Sequence, residues 1–146
     1  MKPSSFFSEQ EQQVIVTAIK EAELNTSGEI RVHIEGKCKY DVLDRAAYIF
    51  EKLGMHQTKL RNGVLFYLAV EDRKFAILGD AGINKVVPSN FWDETKSVME
   101  AYFNRKEFAA GLAKGIQMAG IHLKKYFAYQ QDDVNELSDD ISFGKK

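Results

Sequence analysis

The 146-residue chain has one cysteine, two prolines and no excess of either charge. The lone Cys38 excludes an intrachain disulfide framework and any multi-cysteine zinc or iron–sulfur site. Twenty Lys and Arg against 21 Asp and Glu leave a net charge of −1, which excludes a general nucleic-acid binder. Lys114, Gln117 and His122 interrupt the most apolar region, so no run approaches the ~18 residues of a membrane span. No apolar run follows Met1-Lys2-Pro3-Ser4-Ser5, so the reading is a cytoplasmic chain without a secretory leader. What is present is ordinary: 45% apolar and 28% charged residues fit a globular domain whose core needs no staples.

Residues 130–146 hold five acids and two lysines, so the rest of the chain is slightly basic. The expected organisation is one domain, residues 6–128, and an acidic C-terminal tail, 129–146, partly ordered or disordered. Ser8 and Glu11 form a capping box ahead of an apolar stripe from Val14 to Ala22, which predicts a helix to about Leu24. Ile30, Val32 and Ile34 alternate with Arg31, His33 and Glu35, which predicts a strand with one wet face or an edge position.

Asp41 or Asp44 caps a second helix, with Val42, Ala46, Ile49, Phe50 and Leu53 inward and Gly54 ending it. Residues 63–70 are apolar on both faces and predict a central strand. A polar turn, 71–74, returns the chain as an antiparallel partner closed by Gly79. Pro88 and Ser89 open a third long helix, and a last one runs from about Glu107 to Phe127. Gly111, Gly115 and Gly120 each cost that helix about 1 kcal/mol relative to Ala, which predicts close packing there. The sum is a three-layer α/β/α sandwich with a small mixed β-sheet.

The catalytic signals are thin. His33 and His122 read as surface histidines, and His56 lies in a loop of the kind that carries sites. Cys38 stands between two lysines, which lowers a thiol pKa, but a solvent-near, incidental thiol is the simpler reading. No nucleophile elbow, Walker A loop or HExxH is present. If the first two strands are parallel, one end of the sheet gathers Glu29, Asn62, Asp80, Asp93 and Glu94. Carboxylates and amide oxygens are hard donors suited to calcium or magnesium. Helix caps and salt bridges are the alternative reading. The other end gathers Asp41, Asp44, Glu71 and Asp72, which read as cap and turn residues and as the second choice for a metal.

The chain resembles the TPM domain family in its short bacterial, stand-alone form. The similarity lies in residues 26–32 (TSGEIRV), Gly54-Met55-His56, residues 61–65 (RNGVL), residues 72–80 (DRKFAILGD), Phe91-Trp92 and residues 132–137 (DDVNEL). It implies an α/β/α sandwich, calcium binding and, by analogy with thylakoid relatives, acid phosphatase activity. The leading expectation is a divalent-cation-binding module for Ca²⁺ or Mg²⁺. Glu29, Asn62, Asp80 and Asp93 lie in or beside the matching segments and are the candidate ligands. One alternative is a metal-assisted phosphomonoester hydrolase, with Arg61 or Arg73 clamping charge. The other is a non-catalytic interaction domain with a protein partner. Divalent cations are the expected partners, with neither nucleic acid nor membrane.

Overall fold

The computed structural model describes residues 2–128 and 136–144. Ser8 caps the first helix, α1 (Glu9–Ala22), accepting from the Glu11 amide at 3.1 Å while Glu11 accepts from the Ser8 amide at 2.9 Å. Strand β1 (Glu29–Glu35) follows. Asp41 caps α2 (Val42–Lys52) by accepting from Leu43 and Asp44. Gly54 then turns the chain at φ 71, a left-handed value that costs glycine nothing. The hairpin β2 (Gly63–Ala69) and β3 (Lys74–Gly79) leads into short α3 (Ala81–Asn84), α4 (Asp93–Asn104), α5 (Phe108–Leu123) and β4 (Ser142–Phe143).

The sheet order is β3-β2-β1-β4. β1 and β2 are parallel, with Glu29 opposite Gly63, and β3 is antiparallel to β2. β4 lies parallel to β1 on its other side, with His33 opposite Ser142. All seven β2 residues are buried, as expected of a strand covered on both faces. Ile30, Val32 and Ile34 join Val64, Phe66 and Leu68 in a core with α1, α4 and α5. Leu65, Tyr67 and Ala69 pack on the other face against Ala46, Ile49 and Phe50 of α2. The α/β/α sandwich is therefore asymmetric, with α2 as the one helix of its layer among the described residues.

Five expectations are corrected. β1 is an interior strand, and Glu29, His33 and Glu35 on its polar row are buried. Tyr67, Arg45 and residues 136–144 bind that row, so its polarity is satisfied by protein. His33 is accordingly no surface histidine, and Cys38 is 2% exposed with its thiol directed at the Tyr40 carbonyl. The long helix after Pro88 begins only at Asp93, because Pro88–Trp92 is taken up by tight turns. The last helix stops at Leu123, four residues early, and gives way to a turn in which the Tyr126 and Phe127 amides share the Leu123 carbonyl.

Part of the acidic segment, 129–135 and 145–146, lies outside the described residues. Residues 136–144 lie along β1, ending with the Gly144 amide on the Ile34 carbonyl at 2.8 Å. The three α5 glycines sit where packing leaves no room for a methyl group. A Cβ at Gly111 would meet Phe103 and Tyr102, at Gly115 Met99, and at Gly120 Ala22.

Candidate cation site

The odd-numbered positions of β1 share one face of the sheet. Glu29, at the N-terminal end of that row, is 4% exposed. Its amide bonds the Asn62 carbonyl at 3.1 Å, and the Gly63 carbonyl accepts from the Asp80 amide at 2.9 Å. The backbone thus brings Glu29, Asn62 and Asp80 to one end of the sheet, as the strand polarity predicts.

The carboxylate of Glu29 accepts from the Leu137 amide at 2.6 Å, and the Glu136 carboxyl adjoins it. Glu136 in turn accepts from the Lys59 amide at 3.2 Å. Burial, together with Glu136, pushes Glu29 up to about 7 despite the Leu137 amide. A second acidic pair adjoins the first. Glu23, at the C-cap of α1, is bonded to the Asp139 side chain, and its oxygen accepts from the Ile30 amide at 3.4 Å. Burial and the Asp139 carboxyl push Glu23 up to about 9, and the charge of Glu29 adds to this. Two carboxyl pairs therefore meet at one end of β1.

The predicted ligands part company in their side chains. The Asn62 amide nitrogen donates to the Ser27 carbonyl at 2.9 Å, while its buried Oδ1 has no hydrogen bond among the described residues. Asp80 is held by Arg61 through two bonds of 2.7 and 2.8 Å and caps α3 through the Ala81 amide. That pairing occupies Arg61, one of the two candidate charge clamps of the hydrolase reading. Asp93 and Glu94 are exposed in the first turn of α4, where they complement the helix dipole. Among the described residues, no three or more His, Cys, Asp or Glu side chains form a ready-made metal cluster.

Sequence reasoning missed Glu23, Glu136 and Asp139. Glu23 carried a local signal, since an acid at a helix C-terminus opposes the dipole. Glu136 and Asp139 carried none, because their placement depends on a strand of two residues. At the opposite end, Asp41 is a helix cap and Asp72 accepts from the Cys38 amide at 2.7 Å. No helix among the described residues is long and apolar enough to cross a membrane.

Residues 1–121 match the family model described as the TPM domain. A solved structure of the BA42 protein from the psychrophilic bacterium Bizionia argentinensis is 50% identical, with a TM-score of 0.92. That similarity covers 98% of this chain and 99% of BA42. The N-terminal domain of a P. gingivalis protein matches at 16% identity and TM-score 0.71, over 88% of this chain and 83% of that one. The N-terminal domain of the Corynebacterium glutamicum protein cg2496 matches at 12% identity and TM-score 0.65, over 98% and 83%. These last two share the fold. Comparison with curated proteins found no match.

Proposed function

We infer that this chain, which belongs to the TPM domain family, is a divalent-cation-binding module for Ca²⁺ or Mg²⁺ at the Glu29 end of its sheet. The observation that carries the reading is the gathering of Glu23, Glu29, Glu136 and Asp139 at one end of β1, where Glu29 accepts from the Leu137 amide and Glu23 from the Ile30 amide. Like charges so gathered are stable only if a proton or a cation lies between them. The donors are all oxygen, which suits a hard cation. The buried Oδ1 of Asn62, without a hydrogen bond among the described residues and carried on the strand end beside Glu29, is a further oxygen of the right kind.

Glu29 and Glu136 would hold the ion, with Asn62, Glu23 and Asp139 as additional donors. Asp80 would act one step removed, since its Arg61 pair and α3 cap fix the loop beside Gly63. Asp93 would favour cations only through its exposed charge. The ion would tie residues 136–139 to β1 and α1, and so stabilise the folded state by mass action.

Calorimetric titration of chelator-treated protein with calcium tests this. Heat of binding and a raised Tm at millimolar calcium are expected, both lost in Glu29→Gln and retained in Asp72→Ala. Absence of heat and of any Tm change in the parent protein would overturn the reading. Phosphatase activity is a separate reading that follows from the family resemblance. It predicts turnover of a generic phosphomonoester that disappears in Glu29→Gln.

A further inference from the structure

The other end of the polar row opens into a cleft of about 640 Å³, lined by His33, Glu35, Lys37, Arg45, Lys52 and Ser142. It lies about 20 Å along β1 from Glu29, at ~3.3 Å per residue. Its origin is topological. The chain leaves β1 through α2 to reach β2 on one side, whereas β4 lies on the other side of β1. α2 packs on the β2 half of the sheet, while α1, α4 and α5 occupy the opposite face. The cleft thus opens at the carboxyl ends of the parallel pair β1 and β4, the end of an open α/β sheet at which ligands bind.

The floor of the cleft is built from buried, ordered polar groups. Glu35 accepts from Arg45 at 2.9 and 2.6 Å and from the Tyr67 hydroxyl at 2.6 Å. His33 Nδ1 pairs with Ser142 Oγ at 2.8 Å. His33 Nε2 is buried without a well-aligned hydrogen bond, 3.3 Å from Glu35, on a residue only 5% exposed. Arg45 offsets the Glu35 charge. Lys37 and Lys52 form no ion pair among the described residues. Among the described residues the cleft therefore carries two lysine charges without a carboxylate partner over a floor of hydrogen-bonding groups, with the Lys52 ammonium 5.7 Å from the Tyr48 ring.

We propose that this cleft is a second ligand site, for a small organic dianion bearing phosphate or carboxylate groups. The two lysines supply the charge match at the mouth, and Ser142, His33 and Arg45 supply orientation inside. The site shares no residue with the cation site and stands or falls independently of it.

Amide and histidine-ring NMR shifts of the full chain, titrated with orthophosphate and separately with succinate, test the proposal. Saturable shifts are expected at Lys37, His33, Ser142 and Gly144, and the stronger probe identifies which anionic group the cleft favours. Lys37→Gln/Lys52→Gln should weaken binding by roughly tenfold or more, about 1.4 kcal/mol. Ser142→Asp, which keeps an acceptor for His33 but adds a charge to the wall, should abolish it. An unchanged β2 amide pattern would verify the fold of both variants. Weak, unsaturable shifts spread over surface lysines and arginines would mean only adventitious anion binding and overturn the proposal. So would variants that bind both probes as well as the parent.

Discussion

Glu35 is the clearest case of one side chain ordered by its neighbours. Burial alone would raise its pKa, but the bonds from Arg45 and Tyr67 and the neighbouring His33 ring outweigh burial and hold it well below the usual carboxylate range. The stabilisation is therefore present above the ordinary carboxylate pKa and lost as pH falls through the lower folded value. Arg45→Met would leave a buried carboxylate without its counter-ion and should cost about 3 kcal/mol, read by denaturant unfolding at pH 7. Tyr67→Phe removes one neutral donor to a charged group and should cost roughly 2 kcal/mol. If Arg45→Met cost no more than Tyr67→Phe, the ion pair would not be what holds Glu35 in place. The alternation in β1 announced this row of polar groups. It did not announce their burial, because strand periodicity identifies a face and not what covers it.

At the scale of elements, the helix signals read from sequence were mostly local and mostly sufficient. The Ser8 capping box, the Asp41 cap and Gly54 are short-range devices, and each stands where its residues place it. The start of α4 was illegible because Pro88 and Ser89 suit a helix start as well as the turns they make. The α5 glycines show a different kind of legibility, in which a weakness in helix propensity points to a neighbour. At Gly120 a Cβ would lie 2.8 Å from the Ala22 Cβ and 2.9 Å from its Cα, on a backbone that cannot yield without moving α1. Gly120→Ala should therefore destabilise by about 2 kcal/mol despite its better helix propensity. Gly115→Ala meets only the flexible Met99 side chain and should cost less. Thermal unfolding of the two variants checks the order, and Gly120→Ala more stable than the parent would refute the close α1–α5 contact.

For the whole molecule, the sheet order explains why the fold was legible and the site only in part. Strands β1 to β3 follow from patterns within 50 residues, and they correctly bring Glu29, Asn62 and Asp80 to one end. The carboxyl partners of Glu29 and Glu23 come from more than 100 residues away, on a segment whose strand pairs through only two positions. That arrangement has a global consequence. The folded-state values of Glu29 and Glu23, about 7 and about 9, lie above the ordinary carboxylate value of 4.5, so folding takes up protons. Their stabilising contribution is complete below about pH 4.5. It is lost as pH rises through about 7 for Glu29 and about 9 for Glu23. In chelator, Tm should therefore fall between pH 5 and 9, by about 3 °C for each kcal/mol of stability lost in a domain of this size. Glu29→Gln should flatten the lower part of that decline and Glu23→Gln the upper part. Saturating calcium should abolish the decline in the parent, because the cation takes the place of the lost proton and binds only the folded chain. Calorimetric scans across this range, with and without calcium, separate the outcomes. A decline that calcium leaves untouched would mean that the two carboxyl pairs share protons alone.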